Sequence, residues 1–343
     1  MQRRELVIGG LAAGVLGAPA LVRAQTLEKP KATIAVGGKN LLYYLPLTVA
    51  EQKGFFKDEG LDLTIVDFAG GSKALAAVVG GSADVVSGAF EHTVNMQFKG
   101  QPMRAFVLQG RAPQIVLGVN PKTMPDFKSV ADLKGKKIGV TAPGSSTNVM
   151  ANFVLAKAGL KPSDVSIVGV GASNGAVAAM RSGNIDAISN LDPVITLLLR
   201  SGDLKIIADT RVLADADRIF GGPMPAACLY APQPFIDRNP ATVQAMTNAI
   251  VRADKWIQQA GPGDIINAVP EAFLLGDRAV YIDAFLAAKG ALSPDGMFPE
   301  AGAATAYRAL ASVDPKIAAA KLDLKAVYTN EFVTKANARY PRG

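Results

Sequence analysis

The sequence predicts an α/β protein of two lobes, each a mostly parallel sheet flanked by helices, with a ligand cleft between them. Three observations carry this reading. Strand-like and helix-like segments alternate along most of the chain. A sixteen-residue pattern recurs at a constant offset of 102 residues. The corners where strands give way to helices are rich in Gly, Ser, Thr and Asn in both copies.

The repeat sets SKALAAVVGGSADVVS (72–87) against NGAVAAMRSGNIDAIS (174–189). Ala74, Ala76, Ala77, Gly81, Asp84 and Ser87 meet Ala176, Ala178, Ala179, Gly183, Asp186 and Ser189, while apolar Leu75 and Val78 meet Val177 and Met180. Upstream of the first copy, TIAVGG reads as a strand, PLTVAEQKGFF as a helix ending near Gly54, and LDLTIVDF as a second strand. Upstream of the second, KKIGV reads as a strand, and Thr147–Ala158 as a helix with Val149, Met150, Phe153 and Val154 on one face. DVSIVGV follows as a strand. Downstream, EHTVNMQFKG precedes MRAFVL as DPVITLLLRSGD precedes LKIIA. Such alternation implies right-handed crossovers and helices on both faces of each sheet.

GRAPQIVLGVNP (110–121) and FGGPMPAACLYAP (220–232) each hold an extended apolar core with Gly and Pro nearby. They are expected to cross between lobes as hinge strands near 112–120 and 223–231. Lobe 1 would then comprise residues 25–116 plus 227–343, and lobe 2 residues 117–226. The C-terminal part is mainly helical. Asn239-Pro240 supplies a capping side chain and a Pro for the first turn. Val243, Met246, Ile250, Ala253 and Ile257 form one stripe behind it, which Trp256 borders.

The first residues, MQRRELVIGGLAAGVLGAPALVRAQ, carry Arg3 and Arg4, an apolar stretch from Leu6 to Leu21, and a small-residue end at Ala24. This is expected to be a twin-arginine export signal cleaved near Ala24, which places the mature protein in the periplasm. The stretch is about 16 residues long, short of the ~20 that span a bilayer. Without residues 1–24 the formal charge falls from +7 to +5. That excess is spread along the chain with no basic block, so nucleic acid is not implied. Cys228, alone of its kind, sits in the apolar run AACLYA as a buried small residue. With one histidine in 343 residues, a structural zinc site is not expected.

In open parallel sheets, ligands bind beyond the carboxyl ends of the strands. The loops there are GGKNLLYYLP (37–46), AGGSK (69–73) and SGAFEH (87–92) in lobe 1, and TAPGSSTN (141–148), GASNG (171–175) and SNLDP (189–193) in lobe 2. TAPGSSTN resembles an anion-holding corner but lacks the lysine of a phosphate loop. Candidate ligand contacts are Asn40, Tyr43, Tyr44, Gly71, Ser72, Ser87, Phe90, His92, Ser145, Ser146, Thr147, Ser173, Asn190 and Asp192. The hydroxyl residues can equally cap helices, and the two roles are compatible. Tyr43 and Tyr44 adjoin, so one of them faces the cleft. His92 is either a ligand donor or a solvated group, and Asp192 a helix cap. The loops offer donors and little catalytic equipment, so no catalytic residue and no cofactor are expected. Hydrogen bonds to a charged group contribute roughly 1.5–3 kcal/mol each, so three or four reach micromolar binding after association costs.

The run YLPLTVAEQKGFFKDEGLDLTIVDFAGGSKALAAVVGGSADVV, with ADLKGKKIGV and SGNIDAIS, resembles the periplasmic substrate-binding proteins of the nitrate, sulfonate and taurine group of ABC importers. These are related to pyrimidine-precursor (thiamine biosynthesis) binding proteins. The resemblance implies a two-lobed type II periplasmic binding protein that closes on its ligand and is recognised by a membrane permease and its ATPase, as a monomer. It places cleft contacts at Asn40, Tyr43, Ser72, Phe90, Ser145, Ser146, Thr147 and Asn190. No cleft arginine is evident except Arg111 near the hinge, which favours an organic ligand with one anionic end, a sulfonate or a carboxylate, over a bare inorganic ion. Two other readings stand beside this one. An enzyme of the same fold, like the pyrimidine-precursor synthases, would call for a histidine, a cofactor-binding lysine and a cysteine-rich stretch, of which only His92 is present. A receptor presenting its ligand to a sensor kinase would look the same in sequence.

Overall fold

Asp84 and Asp186, matched by the repeat, do the same work in two places. In this computed structural model, which describes residues 26–342, the Asp84 carboxylate accepts from the Thr33 amide at 2.9 Å, and its own amide donates to the Thr33 carbonyl. Asp186 does likewise with Lys137, at 3.0 Å and 2.9 Å. Each clamp pins the start of a third strand to the start of a first one. It thereby fixes a register in which a one-residue slip would turn every side chain to the wrong face. The export signal expected over residues 1–24 and its cleavage near Ala24 lie outside the described residues.

The strands are β1 (Lys31–Gly37), β2 (Asp62–Phe68), β3 (Val85–Ala89), β4 (Met103–Leu108), β5 (Val116–Val119), β6 (Lys137–Val140), β7 (Ser166–Gly169), β8 (Ala187–Asn190), β9 (Lys205–Asp209) and β10 (Ala227–Pro232). They form two five-stranded sheets, ordered β2-β1-β3-β10-β4 and β7-β6-β8-β5-β9. The path is the same in both. In each sheet the fourth strand in this order runs antiparallel to its neighbours, and it arrives from the other half of the chain. The central strands are covered on both faces: β3 and β8 are buried along their whole length.

Helices α1 (Leu45–Gln52), α2 (Phe55–Asp58), α3 (Gly71–Val79) and α4 (Glu91–Phe98) connect the first sheet, and α5 (Ser146–Lys157), α6 (Asn174–Arg181) and α7 (Val194–Arg200) the second. Gly54, at φ 75°, separates α1 from α2 where the sequence ends its helix. After α8 (Leu213–Phe220) and β10, the chain is helical: α9 (Gln233–Arg238), α10 (Pro240–Gln259), α11 (Pro262–Ala268), α12 (Arg278–Ala288), α13 (Gly302–Ala311), α14 (Pro315–Ala319) and α15 (Glu331–Arg339). Pro240 opens α10 as expected, but Asn239 does not cap it. The cap is the Glu28 carboxylate, which accepts from the amides of Ala241 and Thr242 at 3.0 Å each. The expected stripe of α10 is buried, and Lys53 sits 4.5 Å from the Trp256 ring. Cys228 is buried within β10.

Two segments pass between the sheets, 109–115 and 210–226, and they are bonded to each other. Gly110 exchanges hydrogen bonds with Ala226 and Ala227, and Ile115 with Thr210. Gln114 between them holds a left-handed backbone, φ 58°, with both polar ends of its side chain buried and unpartnered. A positive φ at a residue other than Gly costs on the order of 1–3 kcal/mol and persists only where its surroundings impose it.

The matched aspartates predict matched losses. Asp84→Ala and Asp186→Ala should each lower unfolding free energy by roughly 1.5–3 kcal/mol, since each removes a charged acceptor from a strand-start amide. Urea titration of the two variants checks this, and a neutral Asp186→Ala would mean that the clamp contributes nothing.

A candidate ligand-binding cleft

The loops at the carboxyl ends of the two sheets face each other and touch. Asn40 Nδ2 donates to the Ala172 carbonyl at 2.8 Å, and the Leu42 amide to the Asp192 carbonyl at 3.1 Å. The Ser72 amide donates to Ser145 Oγ at 3.1 Å, and Ser72 Oγ to the Pro143 carbonyl at 2.8 Å. Glycine permits this approach. A Cβ on Gly70 would stand 2.7 Å from the Ala142 Cβ, and one on Gly38 2.7 Å from the Ala172 Cβ. The cleft is therefore shut. Between its loops and the crossing segments lies a cavity of about 10 Å³, room for about one water molecule. Its wall is apolar, from Ile115, Val149, Met150, Phe220 and Met224, with Tyr43, Ser146 and Glu91 as its polar members.

Of the candidates, Tyr43 and Ser146 line this cavity. Tyr44 packs edge-on against Tyr43 at 4.9 Å, and its hydroxyl comes near Gly71, beside His92 and Ser145 Oγ. Both tyrosines thus stand at the cleft, where one was expected. Ser145 precedes α5 without capping it, because its hydroxyl is engaged with Ser72. Thr147 Oγ1 accepts from the Thr141 amide at 3.1 Å. Asn190 is buried and ties the loop to the Gly171 carbonyl. Ser173 is exposed at the start of α6.

Four of the residues considered have side chains already engaged by other groups of the protein. Phe90, expected as aromatic cleft surface, is fully buried against Phe298 and Tyr328, with ring centroids 5.5 Å and 6.1 Å away. Ser87 sits inside β3 and accepts from Gln109 Nε2 at 3.0 Å. The Asp192 carboxylate takes Thr196 and Arg211 as partners and anchors the first turn of α7. Arg111 turns outward to the Gly290 carbonyl. His92 is not solvated. It is buried, with Nδ1 2.9 Å from the Tyr230 hydroxyl and Nε2 without a partner. Burial pushes its imidazole down to about 4.

The residue that sequence reasoning missed is Glu91. It opens α4, where a glutamate ordinarily serves the helix dipole from the surface. Here the side chain is buried, Oε1 has no partner, and burial pushes the carboxyl up to about 7. It shares a cavity wall with Ser146, Val149 and Met150 of α5, a proximity in space that its place in the sequence does not show. Among the described residues, no group of three or more His, Cys, Asp or Glu is placed to hold a metal ion, and no helix is long and apolar enough to cross a membrane.

Two outcomes follow from this geometry. Gly70→Ala should leave the unfolding midpoint near wild type but hold the loops apart, enlarging the radius of gyration in X-ray scattering; an unchanged scattering curve would mean the loops do not meet in solution. The unfolded chain protonates His92 near pH 6.5, the folded one only near 4. Stability from this group is therefore complete above 6.5 and lost as pH falls toward 4, and His92→Gln should flatten that limb of the stability–pH curve relative to wild type.

The fold is that of two-lobed periplasmic binding proteins. The solved structure of a Bordetella bronchiseptica RB50 protein is 66% identical and superposes with a TM-score of 0.92 over 92% of this chain and all of that one. The alkanesulfonate-binding protein SsuA from Xanthomonas axonopodis pv. citri, bound to MOPS, gives 0.65 at 21% identity over 91% and 99% of the two chains. The periplasmic nitrate-binding protein NrtA from Synechocystis PCC 6803 gives 0.68 at 15% over 90% and 89%. In sequence, the candidate binding protein YtlA of Bacillus subtilis (strain 168) is 26% identical across 238 residues, 68% of each chain. A Schizosaccharomyces pombe 4-amino-5-hydroxymethyl-2-methylpyrimidine phosphate synthase is 28% identical across 130 residues, 38% of this chain and 36% of that one. Residues 27–268 match the NMT1-like family throughout, and the chain belongs to that family.

Proposed function

We infer that the protein is the solute receptor of an ABC importer, capturing a small organic molecule in the periplasm and delivering it to a membrane permease. The observation that carries this reading is the pair of like sheets whose loop ends meet across a cleft through a few neutral hydrogen bonds, with two paired segments behind it as a hinge. A ligand that touches both halves only when they close shifts the population toward the closed form. The loops that the sequence marks as donors supply those contacts once they part: Asn40, Ser72, Ser145 and Ser146 face the gap, with Tyr43 and Tyr44 as ring surface. An anionic end was expected from these donors. The cavity wall holds no cation and one carboxyl, Glu91, so a negative charge would be ill placed beside it.

The similarity to the fission-yeast synthase keeps an enzyme of the same fold in view, with His92 and Glu91 as the titratable groups it would draw on. Burial holds that imidazole neutral at pH 7, and no lysine lines the cavity. Binding without turnover is the better-supported reading, and a ligand-presenting receptor for a sensor kinase would share its chemistry.

Closure itself can be trapped. Ser72 and Ser145 have their hydroxyl oxygens 3.2 Å apart, so a Ser72→Cys/Ser145→Cys double variant should oxidise to a cross-link. The oxidised form should exclude ligands that stabilise the reduced form in a thermal-shift screen of sulfonates, carboxylates, amines and pyrimidines. Turnover of any such compound by the purified chain, lost in His92→Ala, would replace the receptor with an enzyme. Equal ligand binding by oxidised and reduced forms would remove the cleft as the site.

A further inference from the structure

Two carboxyls sit buried in the loops that form the cleft, and their surroundings differ. Asp192 has its own cation: Arg211 Nη1 lies 3.3 Å away, and Thr196 donates to it at 2.7 Å. Glu91 has none. The titratable groups around it are Tyr43 and Tyr44 from the loop before α1, Cys228 and Tyr230 from β10, and His92 beside it on α4. The tyrosines and the thiol are neutral at pH 7 in any case, and burial keeps His92 neutral as well, so none of them supplies a counter-charge. Buried polar side chains are ordinarily hydrogen-bonded, and a buried charge ordinarily has a counter-charge. Glu91 Oε1 lacks any partner, and the residue lines the cavity between the loops and the crossing segments.

On the receptor reading given above, we propose that Glu91 is the specificity-determining group of the cleft and that its ligand is a small apolar amine whose N–H donors meet the Glu91 carboxylate. The amine supplies the missing counter-charge, and its body lies on Val149, Met150 and Phe220 once the halves part. Tyr43 and Ser146 sit beside it as secondary polar contacts. Because Glu91 shares its proton near pH 7 in the unliganded protein, an ammonium ligand should expel that proton on binding.

The test uses the mature chain with benzylamine and cyclohexylamine as probes, against benzoate, benzyl alcohol and an alkanesulfonate. The amines should bind saturably, and Glu91→Gln should weaken them by about tenfold or more, with little change for benzyl alcohol. Calorimetry of the wild type in buffers of different ionisation enthalpy should show proton release on amine binding at pH 7. This second measurement stands even if Glu91→Gln fails to fold. Saturable binding of benzoate or the sulfonate without the amines overturns the amine assignment and leaves the receptor intact. Amine binding with no proton release, or unchanged in a folded Glu91→Gln, removes Glu91 from the site. Absence of saturable binding by every probe overturns the amine assignment, whereas turnover overturns the receptor.

Discussion

The hydrogen bonds that tie the two crossing segments side by side, Gly110 to Ala226 and Ile115 to Thr210, are the constraint on which the cleft depends. A single linker would let the halves swing in any direction. Two bonded segments instead join the halves at neighbouring points along both crossings. The antiparallel β5 and β10 continue the crossing segments into the fourth position of each sheet, between two neighbours. Gln114, held with a left-handed backbone at the centre of the pair, marks the place where the chain is least relaxed.

The groups lining the cleft are buried, and burial sets their chemistry. Glu91 and His92 adjoin in sequence, and burial moves them in opposite directions, to about 7 and about 4. Both are therefore driven toward their neutral forms. A low-dielectric pocket magnifies any charge brought into it, so a single carboxyl without a cation can dominate selection where several exposed hydroxyls would not. Asp192 shows the alternative: a carboxyl with Arg211 and Thr196 already in place is part of the scaffold and has little left to offer a guest.

Much of this was readable in the chain. The repeat placed Asp84 against Asp186 and Gly81 against Gly183, and the structure gives each pair one role, a strand clamp and a left-handed helix end. The alternation of periods gave two sheets of like path, because local hydrophobic spacing determines which element forms. What failed was burial imposed from afar. Phe90 looked like loop aromatic surface, yet Phe298 and Tyr328, more than two hundred residues on, fold over it. Asn239 looked like the cap of α10, and Glu28 takes that place from the other end of the chain. Glu91 was passed over for the same reason. A glutamate at a helix start is ordinary until its burial in the folded chain is seen.

The energetics of closure fit a device that a modest ligand can operate. The bonds across the shut cleft are neutral ones, from Asn40, Leu42 and Ser72, and each contributes on the order of 0.5–1.5 kcal/mol net. Farther out, α12 packs on α7, where Arg200 and Asp283 form a half-exposed pair at 3.5 Å, a kind that contributes about 1 kcal/mol at most. Against these stands the burial of Glu91, whose Oε1 has no partner. An amine that enters as the loops part would give Glu91 the partner it lacks. A ligand able to do so gains twice, from its own contacts and from pairing Glu91, whereas one that leaves Glu91 unpaired gains only the first.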